Sequence, residues 1–253
     1  MNGSGFMILS LPRSGSTTLA CMLNEHRDIR CLIEPFHPRR YDGEFYHTAV
    51  CHSPAAGLQA VWRRWNGFKH VWEADGWPFR LRPELNDELV DASVRKVILL
   101  VRRNQFRRIV SNLLSRRTGL WMGTRTQFLQ RLEGLQLPPL NPARVREQLQ
   151  IDQAALRDRC ERLAERQVPV MTLHYEDLFR EDADGSFRRR HINTILEFLE
   201  FTTITADVFG QSWQPHFDPA VHRWATADVY RRIPGIERVE QEIASDETGW
   251  LFR

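Results

Sequence analysis

Apolar residues along the chain fall into short unbroken runs, separated by stretches in which they recur at helical spacing. Phe6-Met7-Ile8-Leu9-Ser10-Leu11 is a run of strand length, followed at once by small polar residues. Such a run suits a strand buried on both faces of a parallel sheet. From Thr18 to Asn24 the apolar positions Leu19, Met22 and Leu23 share one helical face, so the chain opens as strand, loop, helix. Arg30–Ile33 predicts a weak second strand that ends at Glu34-Pro35, and Gly67–Trp72 predicts a third. Lys96–Val101 (Lys-Val-Ile-Leu-Leu-Val) is the clearest buried strand. Asn104 is a favourable N-cap. Behind it Phe106, Ile109, Val110, Leu113 and Leu114 give a helix one apolar face. Past a Pro-rich linker at 137–142, the pattern predicts a long polar helix at about Ala143–Arg166 and a strand at Val168–Leu173. Helices over Phe187–Phe201 and near Ile236–Ala244 follow. Residues 37–60, rich in His, Gly and Pro, read as loops plus a short helix.

Strands alternating with helices predict an α/β fold, a three-layer sandwich around a mostly parallel sheet. Such sheets bind ligands at the carboxyl ends of their strands. A length of 253 residues fits a single domain over 1–253. The apolar share of 42% and charged share of 26% place the chain among globular proteins rather than disordered ones. No apolar run approaches the ~20 residues that span a bilayer. The first residues lack the basic and apolar regions of a signal peptide, so the expected location is cytoplasmic, with no membrane partner. Cys21, Cys31, Cys51 and Cys160 are scattered without a CxxC pair. That spacing argues against a structural zinc site or a disulfide framework and predicts buried, reduced thiols.

The net charge is only +3, but its distribution is uneven. Between Asp91 and Glu133 there is no acidic residue and there are ten basic ones. Such a cluster signals an anionic ligand, a nucleic-acid patch or a solvated charged face. Two segments bear on the choice. Pro12-Arg13-Ser14-Gly15-Ser16-Thr17-Thr18 joins the first strand to the first helix. Its backbone N–H groups and the helix N-terminus favour an anion, Gly15 permits close approach, and the hydroxyls and Arg13 supply donors. By composition it is equally a polar turn capping a helix. It is not a Walker A loop, which needs G-x-x-x-x-G-K-[ST]. The second segment is Arg103-Asn104-Gln105-Phe106-Arg107-Arg108-Ile109-Val110-Ser111, with Arg103 just past the best strand and Ser111 one helical turn after Arg107.

Together these segments resemble the donor-binding motifs of PAPS-dependent sulfotransferases (PAPS, 3′-phosphoadenosine-5′-phosphosulfate) of the bacterial and carbohydrate type. The family's 5′-phosphosulfate loop reads roughly Pro-Lys/Arg-Ser-Gly-Ser/Thr-Thr, and Pro12–Thr17 matches it. Thr18 stands where many cytosolic relatives carry Trp. The family's 3′-phosphate motif reads Arg-Asn-Pro-x-Asp-x-x-x-Ser. Arg103, Asn104 and Ser111 match, while Gln105 replaces the Pro and Arg107 the Asp. Tyr175-Glu176-Asp177-Leu178 is also typical and reads as structural. The resemblance covers roughly Phe6–Phe201.

The resemblance implies a P-loop-NTPase-like fold, with PAPS as donor and PAP (3′,5′-adenosine bisphosphate) as product. It implies no metal and no nucleic-acid partner, and a hydroxyl acceptor on a small molecule or carbohydrate. Arg13, Ser14, Gly15, Ser16, Thr17 and Thr18 would hold the 5′ side, and Arg103 and Ser111 the 3′-phosphate. Residues 37–80 and 118–142 would form acceptor-side loops and insertions. Arg13 takes the place of the loop Lys and acts electrostatically, because Arg does not give up its proton. Glu34 and His37 are both candidates for the general base. Lys69, on a strand resembling a Gly-x-Lys strand of bacterial members, would stabilise the moving sulfuryl group. His70 alternates to the other face and reads as a satisfied core histidine. Phe45, Tyr46, Trp62, Trp65, Phe68, Trp72, Trp77 and Trp121 are available to the core or to an acceptor pocket. A P-loop phosphotransferase and a nucleic-acid-binding domain are the alternatives.

Overall fold

The first strand, β1 (Phe6–Ser10), is buried along its whole length, as its unbroken apolar run requires. It belongs to a computed structural model that describes residues 5–39, 43–121, 123–180, 185–217 and 227–252. Beside it lie β2 (Cys31–Ile33), β3 (Gly67–Val71), β4 (Lys96–Val101) and β5 (Val170–His174). These pair in parallel in the order β2-β3-β1-β4-β5, and helices flank the sheet. This is the expected α/β architecture. The chain runs from β1 to β2 and β3 on one side and then crosses to β4 and β5 on the other. The order therefore reverses beside β1, the place where open parallel sheets bind ligands.

The chain forms two compact units, Met1–Val101 with Ala155–Pro215 and Arg102–Ala154 with His216–Arg253. The first contains the whole sheet. Its pairing register sets which side chains share a face. Ile33, Lys69 and Ile8 are partners, as are His70 and Leu9. Met7, Leu9, Phe68, Val97 and Leu99 pack with Val50, Leu58, Val61 and Leu89. The last four come from α2 (Gly43–His52), α3 (Pro54–Trp62) and α4 (Leu85–Ser93). His70 shares that face. It is 2% exposed and its Nε2 lies 2.8 Å from Asn86 Oδ1, the satisfied core histidine that the strand alternation predicts. Lys69 points to the opposite face, toward α1 (Ser16–Leu23).

The second unit has its own apolar core, with Phe106, Val110, Phe128, Val145 and Val239 at its centre. It contains α5 (Gln105–Thr118), α6 (Arg125–Glu133) and the first part of α7 (Pro142–Glu165). Asn104 caps α5 as expected, its Oδ1 accepting from Arg107 N at 2.8 Å. Thr124 and Gln127 form a reciprocal capping box at the start of α6.

Several details differ from the sequence expectations. Residues 37–60 are not mainly irregular but hold α2 and most of α3. The Ser53 hydroxyl accepts from Ala56 N and Pro54 occupies the first turn, so a cap and a pre-set φ start α3 despite the poor composition. Gly57 then lets α3 press on α2, because a Cβ there would lie 2.3 Å from Val50 Cγ2. Helix α1 begins at Ser16, two residues early, and β5 begins at Val170, two residues late. Of the four free cysteines only Cys31 is buried, Cys21 and Cys51 are half-buried, and Cys160 is exposed. Among the described residues no helix is long and apolar enough to cross a membrane.

Candidate functional site

The loop that leaves β1 is shaped by two residues with left-handed backbone, Arg13 at φ 67° and Gly15 at φ 87°. That conformation costs a glycine little and an arginine more. Gly15 is also required sterically, since a Cβ there would lie 2.6 Å from Tyr175 Cδ2. Tyr175 opens α8 (Tyr175–Leu178) and stacks at a tilt on Phe179, ring centroids 4.7 Å apart. The Tyr175–Leu178 segment, read from sequence as structural, thus supports the loop through its aromatic ring. Nothing in the local pattern pointed to Gly15 as its contact.

Gly15 is the N-cap of α1 and caps without a side chain. The N–H groups of the first turn therefore have no side-chain cap, and the helix places partial positive charge there. Ser10 Oγ donates to Ser16 Oγ at 2.7 Å, tying the end of β1 to the helix start. Ser14 and Ser16 are buried, and Arg13, Gly15, Thr17 and Thr18 are half-buried.

Lys69 brings the neighbouring strands into the site. It is 3% exposed, and its Nζ donates to Thr17 Oγ1 at 2.8 Å and forms an ion pair with Glu34. Glu34 N donates to Lys69 O at 3.0 Å, which extends the β2–β3 ladder one residue beyond β2. Glu34 then turns away at φ 48°, another strained non-glycine position. A buried ammonium costs several kcal/mol unless it is paired and hydrogen-bonded, and Thr17 and Glu34 meet that demand. The Glu34 side chain remains 25% exposed, so one member of the pair is accessible. The sequence proposed Lys69 and Glu34 separately; their ion pair depends on β2 lying beside β3, which no local pattern reveals.

His37 sits on the next turn, its N–H donating to Glu34 O at 3.2 Å. Its ring Nδ1 accepts from Arg39 N at 3.2 Å. Trp77 meets the His37 ring edge-on, with centroids 5.1 Å apart, and the Arg80 guanidinium lies 4.9 Å from the Trp77 ring. Of the other aromatics, Phe68 and Trp72 belong to the core, and Trp62 and Trp65 pack against it. Phe45 and Trp121 are exposed.

The first unit thus gathers Arg13–Thr18, Glu34, His37 and Lys69 around the carboxyl ends of β1, β2 and β3. Arg103 and Ser111 belong to the second unit, where Arg103 is exposed and Ser111 is 2% exposed. The start of α5 is held by the chain's last residues. Asn104 Nδ2 donates to Trp250 O at 2.6 Å, and Phe106 N to Thr248 O at 2.9 Å. Arg108 is buried and ion-paired with Asp152, which also accepts from Gln148 Nε2 at 2.8 Å. That pair joins α5 to α7 and was not foreseen, because its members lie 44 positions apart. Among the described residues, no group of three or more His, Cys, Asp or Glu is placed to hold a metal ion. No protein-family model and no curated protein matches the chain.

Proposed function

We propose that the protein is a PAPS-dependent sulfotransferase that moves a sulfuryl group to a hydroxyl acceptor, and that it acts in the cytoplasm. The observation that carries this is Lys69, a buried cation held between Thr17 of the anion-suited loop and the partly exposed Glu34 carboxylate. Group transfer of this kind needs in-line positioning, cations at the moving oxygens and a base for the acceptor. Those three parts meet at one sheet edge. The uncapped start of α1 and the close approach permitted at Gly15 fit the donor's 5′-phosphosulfate.

Ser14 to Thr18 hold that group, and Arg13 and Lys69 neutralise charge on the sulfuryl and bridging oxygens. Arg103 and Ser111 take the 3′-phosphate, an assignment carried by their sequence pattern. PAPS supplies the activated sulfuryl group. The acceptor oxygen bonds to sulfur as the bond from sulfur to the bridging oxygen breaks, the hydroxyl proton passes to a base, and PAP leaves.

Thermal unfolding with PAP, AMP and ATP tests the proposal. PAP stabilises the protein at concentrations where AMP does little, by about 2.7 kcal/mol at a hundred times its Kd. Equal shifts from AMP and PAP sink the 3′-phosphate assignment. A response to ATP with Mg²⁺ and none to PAP favours a phosphotransferase.

A further inference from the structure

Ser10 is the one polar residue in the buried run Phe6–Leu11, and it is 0% exposed. It ends β1, which pairs with β3 on one side and β4 on the other, so its place is rigid. An alanine would suit the packing of such a strand, whereas a buried hydroxyl costs free energy unless it is hydrogen-bonded. Ser10 Oγ meets that demand by donating to Ser16 Oγ at 2.7 Å. Ser10 shares the sheet face of Ile8, the pairing partner of Lys69. From that same face Lys69 Nζ donates to Thr17 Oγ1 at 2.8 Å. The first two residues of α1 are thus each held by a donor on the sheet. A hydroxyl carries a single hydrogen. Because the Ser16 oxygen accepts from Ser10, its own hydrogen is turned elsewhere, and among the described residues no acceptor takes it. Ser16 is 4% exposed, so water barely reaches it.

We infer that Ser10 is a positioning residue of the anion loop, which turns the Ser16 hydrogen toward a ligand oxygen that bears no proton. The group this selects is a tetrahedral oxyanion, sulfate or ionised phosphate. That the group is the 5′ end of the donor rests on the sulfuryl-transfer proposal. An oxyanion offers only acceptors, which suits a hydroxyl already set as a donor. The bond from Ser10 to Ser16 polarises the bond from Ser16 to the ligand. A donor fixed on a central strand also spares the site a reorientation when the ligand arrives. Without Ser10, the Ser16 hydroxyl is able to turn back to a carbonyl one turn earlier, as serines in helices do, and the ligand has to draw it away.

Binding of PAP and of adenosine 3′-monophosphate, which lacks the 5′ group, to variants of the full chain tests this. Ser16→Ala weakens PAP by about 10-fold, the scale of one hydrogen bond to a charged group. Ser10→Ala weakens PAP by about 5-fold, a part of that same bond. Made together with Ser16→Ala, it adds less than about 2-fold, because its effect runs through Ser16. Ser10→Thr, which keeps the hydroxyl on a β-branched residue, restores PAP affinity. Adenosine 3′-monophosphate binds all four proteins as it binds the parent. If Ser10→Ala does not fold, Ser10→Cys, a weak donor, replaces it and shows the same loss. Undiminished PAP affinity in Ser10→Ala overturns the assignment. So does an equal loss whether or not Ser16 is present, or a loss shared by adenosine 3′-monophosphate. A parent that does not bind PAP removes the sulfuryl-transfer proposal, and thermal unfolding with inorganic sulfate then decides the role of Ser10. The same dependence on Ser16 supports the role, and its absence, or a parent that sulfate does not stabilise, overturns it.

Discussion

Lys69 and Glu34 are unequal partners, and the inequality is measurable. Lys69 is 4% exposed in its side chain and Glu34 is 25% exposed. Removing Glu34's charge leaves an ammonium in a place water barely reaches, 2.8 Å from Thr17 Oγ1. Removing the lysine leaves a carboxylate that water can solvate. Breaking a fully buried pair costs about 3–5 kcal/mol. With one partner partly solvated, Glu34→Gln is expected to cost about 1–3 kcal/mol by the same reasoning. Lys69→Met, which fills the space with an unbranched apolar chain, is expected to stay within about 1 kcal/mol of the parent. It nonetheless loses PAPS turnover by about 100-fold or more, the scale of one transition-state cation or donor. Urea unfolding of both variants beside turnover of PAPS checks this. A Lys69→Met protein that is less stable than Glu34→Gln, or that keeps full turnover, contradicts the proposed division between fold and chemistry.

Strand β3 carries chemistry on one face and a structural tie on the other. His70 is fully buried beside Asn86, whose Nδ2 donates to Gly76 O at 3.0 Å and Pro83 O at 3.1 Å. One imidazole thus anchors the turn that carries Trp77 and Arg80. Burial, the largest cause, holds the His70 pKa at about 4, below its ordinary 6.5, and the Asn86 hydrogen bond only partly offsets it. As pH falls through 6.5 the unfolded chain takes up a proton that the folded one refuses. Stability from this group therefore declines between pH 6.5 and 4 and levels off below. The loss at pH 4.5 is about 2 kcal/mol relative to pH 7. In His70→Phe that decline is shallower by about the same amount, although the variant starts less stable because Asn86 Oδ1 loses its partner. Urea unfolding at the two pH values decides it, and equal losses in both proteins refute the claim. The elements that place these groups were legible in unequal measure. β1 and β4 announce themselves because a strand buried on both faces has to be apolar throughout. The segment holding α2 and α3 was obscured by its glycine, proline and histidine, although Ser53-Pro54 is itself a helix-start signal. Arg13, Lys69 and Glu34 were identifiable as chemistry-bearing residues. Their grouping around Thr17 follows from strand order, and Tyr175 under Gly15 follows from the return of β5, neither of which is local.

At the scale of the whole molecule, charge separates the proposed function from its non-enzymatic alternative. The ten basic residues between Asp91 and Glu133 look from sequence like a polyanion surface. Lys96, Arg107, Arg108, Arg117, Arg125 and Arg131 have local duties in the fold. Lys96 donates to Phe198 O and pairs with Glu200, each at 2.6 Å. Arg108 pairs with Asp152, and Arg125 with Asp228. Arg117 and Arg131 donate to Pro138 O and Thr118 O at 3.0 and 3.1 Å, and Arg107 lies over the Tyr230 ring. A charge already neutralised by a carboxylate releases few counterions from a nucleic acid. A net charge of +3 adds little long-range attraction. The protein is therefore expected not to be retained on single- or double-stranded polynucleotide at about 150 mM salt, where a binder with 6–10 phosphate contacts would still show a steep salt slope. PAP binding should persist under the same conditions. Arg103→Ala should weaken it by about 10-fold or more, the scale of one charge-assisted hydrogen bond. Arg103 is exposed, so its removal tests ligand binding rather than core packing. Tight polynucleotide binding that falls steeply with salt, together with unchanged PAP affinity in Arg103→Ala, would assign the basic segment to nucleic acid and leave the loop at Pro12–Thr18 without its second phosphate site.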